Sequence, residues 1–155
     1  MSEVTIGQPV PAFEVESTAG AFTQSDLQGK WTVLYFYPKD NTPGCTTEAQ
    51  NFRDQISAFK KAGCQVVGVS RDSLKSHQNF IDKQSLPFTL LSDPDETLCN
   101  LFGVMKLKNM YGKQVRGIER STFLVDPKGV LRQEWRGIKV PGHVDAVLET
   151  VQNAG

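Results

Sequence analysis

The sequence has few of the residues that build metal centres and disulfide frameworks. Its 155 residues include three cysteines and two histidines. Cys45, Cys64 and Cys99 are an odd number and lie at least nineteen positions apart, which argues against a disulfide framework and against a zinc knuckle. His77 and His143 are 66 positions apart and have no cysteine at metal-ligand spacing. We therefore expect no bound metal, at least one free thiol and no assigned role for either histidine.

The chain also lacks an excess of either charge and any long hydrophobic run. Lysine plus arginine and aspartate plus glutamate both total 17, so no long-range field favours nucleic acid or an anionic membrane as a partner. The longest strongly apolar run, Val33 to Tyr37, is far shorter than the roughly 20 residues of a membrane-spanning helix. Residues 1–13 contain no basic start followed by an apolar stretch, so we expect no secretory signal and a cytoplasmic protein.

Strand and helix patterns alternate along the sequence. Thr32 to Tyr37 is β-branched and aromatic without polar alternation, which is typical of a strand covered on both faces. Ala49, Phe52, Ile56 and Phe59 then form one helical stripe. Lys60 and Lys61 suit the last turn of that helix, and Gly63 suits its cap. Further strands are predicted at 66–69, 88–91, 121–125 and 130–135, and further helices at 73–83, 93–102 and 144–151.

These patterns predict one α/β domain over residues 1–155, because no repeat, low-complexity tract or linker divides the chain. The first strand, helix and second strand form a β-α-β unit with parallel strands. The turn at Asp126 to Gly129 predicts an antiparallel hairpin. We therefore expect a mixed central β-sheet flanked by helices, parallel in its first half and antiparallel in its last.

The segment between the first strand and the first helix carries the chemistry. Thr42 and Pro43 predict a helix start, with the threonine side chain accepting an unpaired amide and proline in the first position. Cys45 then lies in the first turn, where free amides and the positive helix end favour a nucleophilic thiolate. Cys45 precedes Ala49 by four residues and so faces inward. From spacing alone a free cysteine on an apolar face is more often a core residue, so both interpretations stay open here.

The stretch from Tyr35 to Glu48 resembles that of the peroxiredoxins, in particular the PrxQ or bacterioferritin comigratory protein (BCP) subfamily. The signature of proline, three residues, threonine, two residues and cysteine is met by Pro38, Thr42 and Cys45. A second similar segment, residues 110–124, supplies the arginine of the subfamily as Arg120, and the resemblance extends over residues 7–151. It implies a thioredoxin-like fold and a thiol-dependent peroxidase that reduces hydrogen peroxide and organic hydroperoxides without a cofactor.

The resemblance also implies roles for single residues. Cys45 would be the peroxidatic cysteine, whose thiolate attacks the peroxide and becomes sulfenic acid. Thr42 would hold the peroxide, Pro38 would shield the sulfur from water, and Arg120 would bind both the thiolate and a peroxide oxygen. Without the resemblance, Arg120 reads as an exposed strand residue paired with Glu119 or solvent. Glu48 is either ordinary helix polarity or a partner of Arg120.

The chain departs from the subfamily at the resolving cysteine. Gln50 and Ile81 occupy the two positions where subfamily members carry it, and Cys64 and Cys99 read most simply as core residues. We therefore predict a monomer of one-cysteine type, recycled by an external thiol such as glutathione, glutaredoxin or thioredoxin.

Two alternatives remain open. The first is a redox sensor that signals through oxidation of Cys45, and the second is an atypical two-cysteine peroxidase that resolves through Cys99. A thioredoxin-like disulfide reductase needs a Cys-x-x-Cys pair, and Cys45 is followed by Thr46, Thr47 and Glu48, which nearly excludes that class.

Overall fold

The computed structural model describes residues 3–154. Its strands are β1 (Glu14–Ser17), β2 (Gly20–Thr23), β3 (Trp31–Phe36), β4 (Cys64–Ser70), β5 (Thr89–Ser92), β6 (Met105–Met110), β7 (Lys113–Ile118), β8 (Ser121–Val125) and β9 (Leu131–Arg136). Its α-helices are α1 (Pro43–Asp54), α2 (Ile56–Lys61), α3 (Leu74–Gln84), α4 (Thr97–Leu101) and α5 (His143–Ala154). A 3-10 turn over Gln24–Leu27 follows β2.

Seven of these strands form one mixed sheet in the order β2-β1-β5-β4-β3-β8-β9, and β6 pairs with β7 in a separate hairpin. The central strands β5, β4 and β3 are parallel, and β8 and β9 form the predicted antiparallel hairpin. The mixed α/β fold predicted from the sequence is confirmed. Its division into a parallel first half and an antiparallel last half is wrong, because β1 pairs antiparallel with both β2 and β5.

The sheet separates two hydrophobic clusters. Leu34 and Phe36 of β3 pack in the cluster that contains Cys99, whereas Val33 and Tyr35 pack in the cluster that contains Cys45. Successive residues of a strand point to opposite faces of its sheet. Cys45 and Cys99 therefore lie on opposite sides of β3.

Two predicted helices differ from the structure, one by an internal break and the other by its length. The stripe from Ala49 to Phe59 is divided between α1 and α2, because the backbone of Gln55 (φ −106°, ψ 7°) leaves the helical conformation between them. Gly63, with φ +71°, ends α2 as predicted. The helix predicted over 93–102 shrinks to α4, because Glu96 adopts a left-handed backbone (φ 62°) just before it.

The sequence patterns did not predict β1, β2, β6 or β7. Strand β1 alternates exposed and buried residues, β2 has one buried residue, and β7 is exposed along most of its length, so each lacks the buried apolar run by which β3 was recognised. Among the helices of the described chain, none combines the length and the apolar character needed to cross a membrane.

Candidate active site

Cys45 is the third residue of α1 and is 1% exposed. The buried strand β3 leads into the loop 37–42, and the helix begins at Pro43, whose missing amide hydrogen costs nothing at that position. The amide of Thr46 donates to the carbonyl of Thr42 at 2.8 Å and closes the first turn. The predicted place of Cys45, at a strand-to-helix junction and facing the core, is confirmed.

Thr42 occupies the position before the helix with an extended backbone, but its side chain does not cap the helix. Its hydroxyl donates instead to the carbonyl of Lys39 at 2.8 Å, so the predicted capping bond is wrong. The competing acceptor lies within the same loop, and a hydroxyl can turn toward it at little cost. Pro38 and Thr42 are both partly buried.

Arg120 is brought to Cys45 from 75 positions away. Its Nη2 donates to the sulfur of Cys45 at 3.3 Å, and its Nη1 donates to Oε1 of Glu48 at 2.7 Å. The arginine side chain is 17% exposed and that of Glu48 is fully buried. Arg120 is therefore not the exposed residue that its local sequence suggests, and of the two interpretations of Glu48 the structure supports the ionic partner.

Gly44 provides the room that Arg120 needs. A Cβ atom at this glycine would lie 3.2 Å from Nη2 of Arg120, closer than most real Cβ contacts. The guanidinium therefore lies over a bare stretch of backbone in the first turn of α1. A side chain at this position would press on the hydrogen-bonding group that faces Cys45.

Burial and charge act in opposite directions in this cluster. Burial raises the pKa of Glu48 from 4.5 to about 7, against the charge and hydrogen bond of Arg120, which lower it. Burial alone would lower the pKa of Arg120, but the charges of Glu48 and Cys45 and its hydrogen bonds to them hold it above its ordinary value. Near Cys45, the buried Oε2 of Glu48 and the buried hydroxyl of Tyr35 lack a hydrogen-bond partner. The charge of Arg120 therefore favours the anionic form of Glu48, which burial disfavours.

The other two thiols lie in different surroundings. Cys64 starts β4 opposite Trp31, at the far end of β3 from the loop that leads to Cys45, and burial raises its pKa to about 12. Cys99 lies in α4 on the opposite face of the sheet, and burial together with the charge of Asp93 raises its pKa strongly. All three cysteines are free and buried.

Both histidines are buried and hydrogen-bonded, which the sequence patterns did not indicate. His77 contacts Asp40 through Nδ1 at 2.7 Å and the carbonyl of Leu91 through Nε2 at 2.8 Å. Nε2 of His143 contacts the hydroxyl of Thr122 at 2.8 Å. Asp40 lies in the sequence motif between Pro38 and Cys45. This position among candidate catalytic residues was the one sequence signal that Asp40 is functional.

Comparison with known proteins identifies the family. The profile of the AhpC/TSA family matches residues 6–134. Peroxiredoxin Bcp of Xanthomonas campestris pv. campestris is 52% identical over 155 residues, covering 98% of this chain and 97% of that protein. Peroxiredoxin Bcp of Bacillus subtilis is 48% identical over 151 residues, covering 97% of this chain and 96% of that protein.

Solved structures agree with these relatives. A structure concerned with alkyl peroxide reduction by the Xanthomonas campestris bacterioferritin comigratory protein has a TM-score of 0.89 at 50% identity, covering 97% of this chain and 99% of that one. A cysteine-to-serine mutant of Xylella fastidiosa PrxQ has a TM-score of 0.92 at 43% identity, covering 99% of both chains. The chain therefore belongs to the AhpC/TSA family and is a thiol-dependent peroxidase of its Bcp/PrxQ peroxiredoxins.

Proposed function

We propose that Cys45 is the peroxidatic nucleophile and that the enzyme reduces hydrogen peroxide and organic hydroperoxides. The contact between Nη2 of Arg120 and the sulfur of Cys45 carries this proposal. A guanidinium next to a cysteine favours the thiolate, which is the nucleophilic form. The alkyl peroxide reduction named for the Xanthomonas campestris relative supports organic hydroperoxides as substrates.

In the proposed reaction, the Cys45 thiolate attacks one oxygen of the hydroperoxide. The sulfur–oxygen bond forms as the oxygen–oxygen bond breaks, the sulfur is oxidised to sulfenic acid, and the leaving oxygen takes a proton to become water or an alcohol. Negative charge moves from the sulfur to the leaving oxygen during the attack. Arg120 already donates to the sulfur, and as a fixed cation it would stabilise the oxygen that receives this charge.

Thr42 would hold the peroxide, and Pro38 would shield the sulfur of Cys45 from water. The Thr42 hydroxyl donates its hydrogen to the carbonyl of Lys39. The lone pairs of the hydroxyl oxygen can therefore accept a hydrogen bond from a hydroperoxide. Pro38 offers no amide hydrogen, and its ring is apolar. Both residues lie in the loop 37–42, so the geometry of this loop would set where the peroxide lies.

The sulfenic acid would be reduced by an external thiol, as expected for a one-cysteine enzyme. A disulfide needs α-carbons within about 7 Å. Cys99 lies across the sheet from Cys45. Cys64 lies beside the start of β3, a strand about 17 Å long whose other end leads to Cys45. The external thiol would be glutathione, a glutaredoxin or a thioredoxin, in a reducing compartment such as the cytoplasm.

The nucleophile is tested by single-turnover kinetics with one equivalent of peroxide. Cys45→Ser should lose the fast consumption of peroxide, whereas Cys64→Ser and Cys99→Ser should keep it. These two variants are matched controls, because each removes one buried thiol that lies elsewhere in the fold. Rapid consumption by Cys45→Ser would contradict the proposal.

The recycling step is tested by mass spectrometry after peroxide, with a sulfenic-acid trap present. We expect the trap on Cys45 in the wild type and in Cys99→Ser alike. A disulfide between Cys45 and Cys99 that forms in the wild type faster than the trap reacts would replace the one-cysteine mechanism by the two-cysteine alternative.

A further inference from the structure

A buried polar cluster lies directly beneath the loop that precedes the Cys45 helix. Asp40 lies in this loop, residues 37–42, and is buried. Its Oδ1 accepts a hydrogen bond from the hydroxyl of Tyr37 at 2.6 Å. Its Oδ2 accepts one from the hydroxyl of Ser76 at 2.8 Å and lies 2.7 Å from Nδ1 of His77. Both carboxylate oxygens are therefore engaged inside the protein.

His77 connects this carboxylate to the central sheet. Its side chain is fully buried in α3, and Nε2 lies 2.8 Å from the carbonyl of Leu91 in β5. A carbonyl only accepts, so Nε2 must carry a hydrogen. The contact between Nδ1 and Asp40 also contains one hydrogen, whichever of the two atoms holds it. Removing either side chain would leave a buried polar partner unsatisfied.

The backbone of the loop is held from the same side. The amide of Asp40 donates to Oδ2 of Asp72 at 2.9 Å, and that oxygen also accepts from the hydroxyl of Ser70 at 2.6 Å. The next loop residue, Asn41, has a left-handed backbone with φ 63°. Asparagine adopts this conformation more readily than most non-glycine residues.

The same three side chains, Asp40, Asp72 and His77, place their potential ligand atoms within 4.8 Å of one another. Hydrogen bonds account for this arrangement, because both ring nitrogens of His77 and both oxygens of Asp40 have protein partners. The cluster is thus built to hold a loop in place.

We propose that the Asp40–His77 pair positions the peroxide-binding loop, with His77 acting through Asp40 on Pro38 and Thr42. The proposal rests on the roles proposed above for Cys45 and Thr42. Asp40 is two residues from each of Pro38 and Thr42, so a shift of its anchored side chain moves both. His77 sets where that side chain lies, and Cys45 itself, held in α1 and by Arg120, is affected less.

Two substitutions of His77 separate positioning from stability. The amide nitrogen of asparagine overlays Nδ1 of histidine and that of glutamine overlays Nε2. His77→Asn therefore keeps a donor toward Asp40 and loses the bond to Leu91, whereas His77→Gln keeps the bond to Leu91 and loses the one to Asp40. His77→Asn removes one donor from the carbonyl of Leu91, and His77→Gln removes one of the two donors to Oδ2 of Asp40. Each variant loses one buried hydrogen bond, so the two should lose similar stability.

The kinetic readouts are the second-order rate of Cys45 oxidation by peroxide and the rate of Cys45 alkylation by iodoacetamide. We expect His77→Gln to react with peroxide about tenfold to a hundredfold more slowly, the cost of misplacing a substrate-binding group by up to about 1 Å. His77→Asn should stay within about threefold of the wild type, because its donor to Asp40 is retained. Alkylation needs no peroxide-binding loop and should change little in either variant.

Ser76→Ala provides a second test that does not alter the core. It removes one donor to Oδ2 of Asp40 from a partly exposed position and introduces a strong helix former in α3. We expect a smaller decrease in the peroxide rate than in His77→Gln, again with unchanged alkylation. Asn79→Ala, an exposed change in the same helix, is the control.

The outcomes are distinct. Wild-type peroxide rates in both His77→Gln and Ser76→Ala would overturn the inference, and so would equal slowing in His77→Asn and His77→Gln with a parallel decrease in alkylation. Failure of the proposed function would appear elsewhere, as peroxide consumption that survives in Cys45→Ser.

Discussion

Cys45 and Cys99 occupy the same position in two different helices. Each is the third residue of its helix, α1 or α4, and they are 1% and 0% exposed. Position in the first turn of a helix and burial therefore do not distinguish them. The surroundings of the two sulfurs do.

The charge beside each thiol is opposite in sign. Arg120 donates to the sulfur of Cys45 at 3.3 Å. Asp93 accepts the amide of Cys99 at 2.8 Å and that of Leu98 at 3.1 Å, so a carboxylate occupies the start of α4. Burial and this carboxylate raise the pKa of Cys99. The first turn of a helix therefore does not by itself separate a reactive thiol from a core thiol: at Cys45 a cation approaches the sulfur, whereas at Cys99 a carboxylate accepts the helix amides.

Replacing Arg120, the cation beside Cys45, should cause the largest loss of peroxide reactivity. Arg120→Met keeps much of the side-chain bulk and removes the donor to Cys45, so we expect the peroxide rate to fall by about 10²- to 10³-fold, as when an oxyanion donor is lost. Single-turnover kinetics would measure it. Arg132→Met is the matched control, because that arginine is 57% exposed and pairs with Asp126. A wild-type rate in Arg120→Met would make Arg120 only a structural residue.

The contrast also predicts which thiol is labelled first. In the reduced native protein, iodoacetamide should alkylate Cys45 faster than Cys99, because alkylation requires the thiolate, and burial and then the charge of Asp93 disfavour the thiolate of Cys99. Peptide mapping after timed quenching would measure both rates, and unfolding in urea should bring them together. Equal alkylation rates of Cys45 and Cys99 in the native protein would show that the neighbouring charges do not determine the reactivity of the two thiols.

The fold and the nucleophile candidate could be predicted because their signals are local. β3 was recognised from an unbroken buried run, and the start of α1 from the threonine and proline before Cys45. The division of the stripe at Gln55 could not be predicted, because the apolar spacing continues across the break while only the backbone changes.

The charges of the site could not be predicted from local patterns. Arg120 and Glu48 are 72 positions apart, and only the resemblance to the peroxiredoxins placed that arginine at the cysteine. The bond from His77 to Asp40 spans 37 positions and belongs to no pattern that marks a histidine as buried. Pairings of this kind depend on which strands are neighbours, and that is a property of the whole fold.

A smaller effect is expected in the pH dependence of stability. The pKa of Glu48 rises from 4.5 to about 7 on folding, so between these pH values the unfolded chain loses the proton first, and the contribution of Glu48 to the free energy of unfolding falls as pH rises. Glu48→Gln does not titrate. Its stability relative to the wild type should therefore increase across this window by on the order of 1–3 kcal/mol.

Urea unfolding of both proteins at pH 4.5, 6 and 8 would measure this difference. Glu149→Gln, a change of the same kind at an exposed position in α5, is the control. A stability difference between Glu48→Gln and the wild type that does not vary with pH would mean that Arg120 compensates the burial of Glu48 fully. Glu48 would then neutralise more of the charge of Arg120, and the charges beside Cys45 and Cys99 would differ less than their contacts indicate.

The smallest expected effect concerns His143, which senses the same cation. Burial, and after it the charge of Arg120, lowers the pKa of His143 from 6.5 to about 4. In Arg120→Met the pKa of His143 should therefore increase, while burial, the larger cause, keeps it below its ordinary value. An NMR titration of the ring protons would measure the pKa, with Arg132→Met as control. An unchanged pKa would mean that the charge of Arg120 acts only on Cys45 and Glu48. The difference between Cys45 and Cys99 would then depend on the direct contact of Arg120 with the Cys45 sulfur.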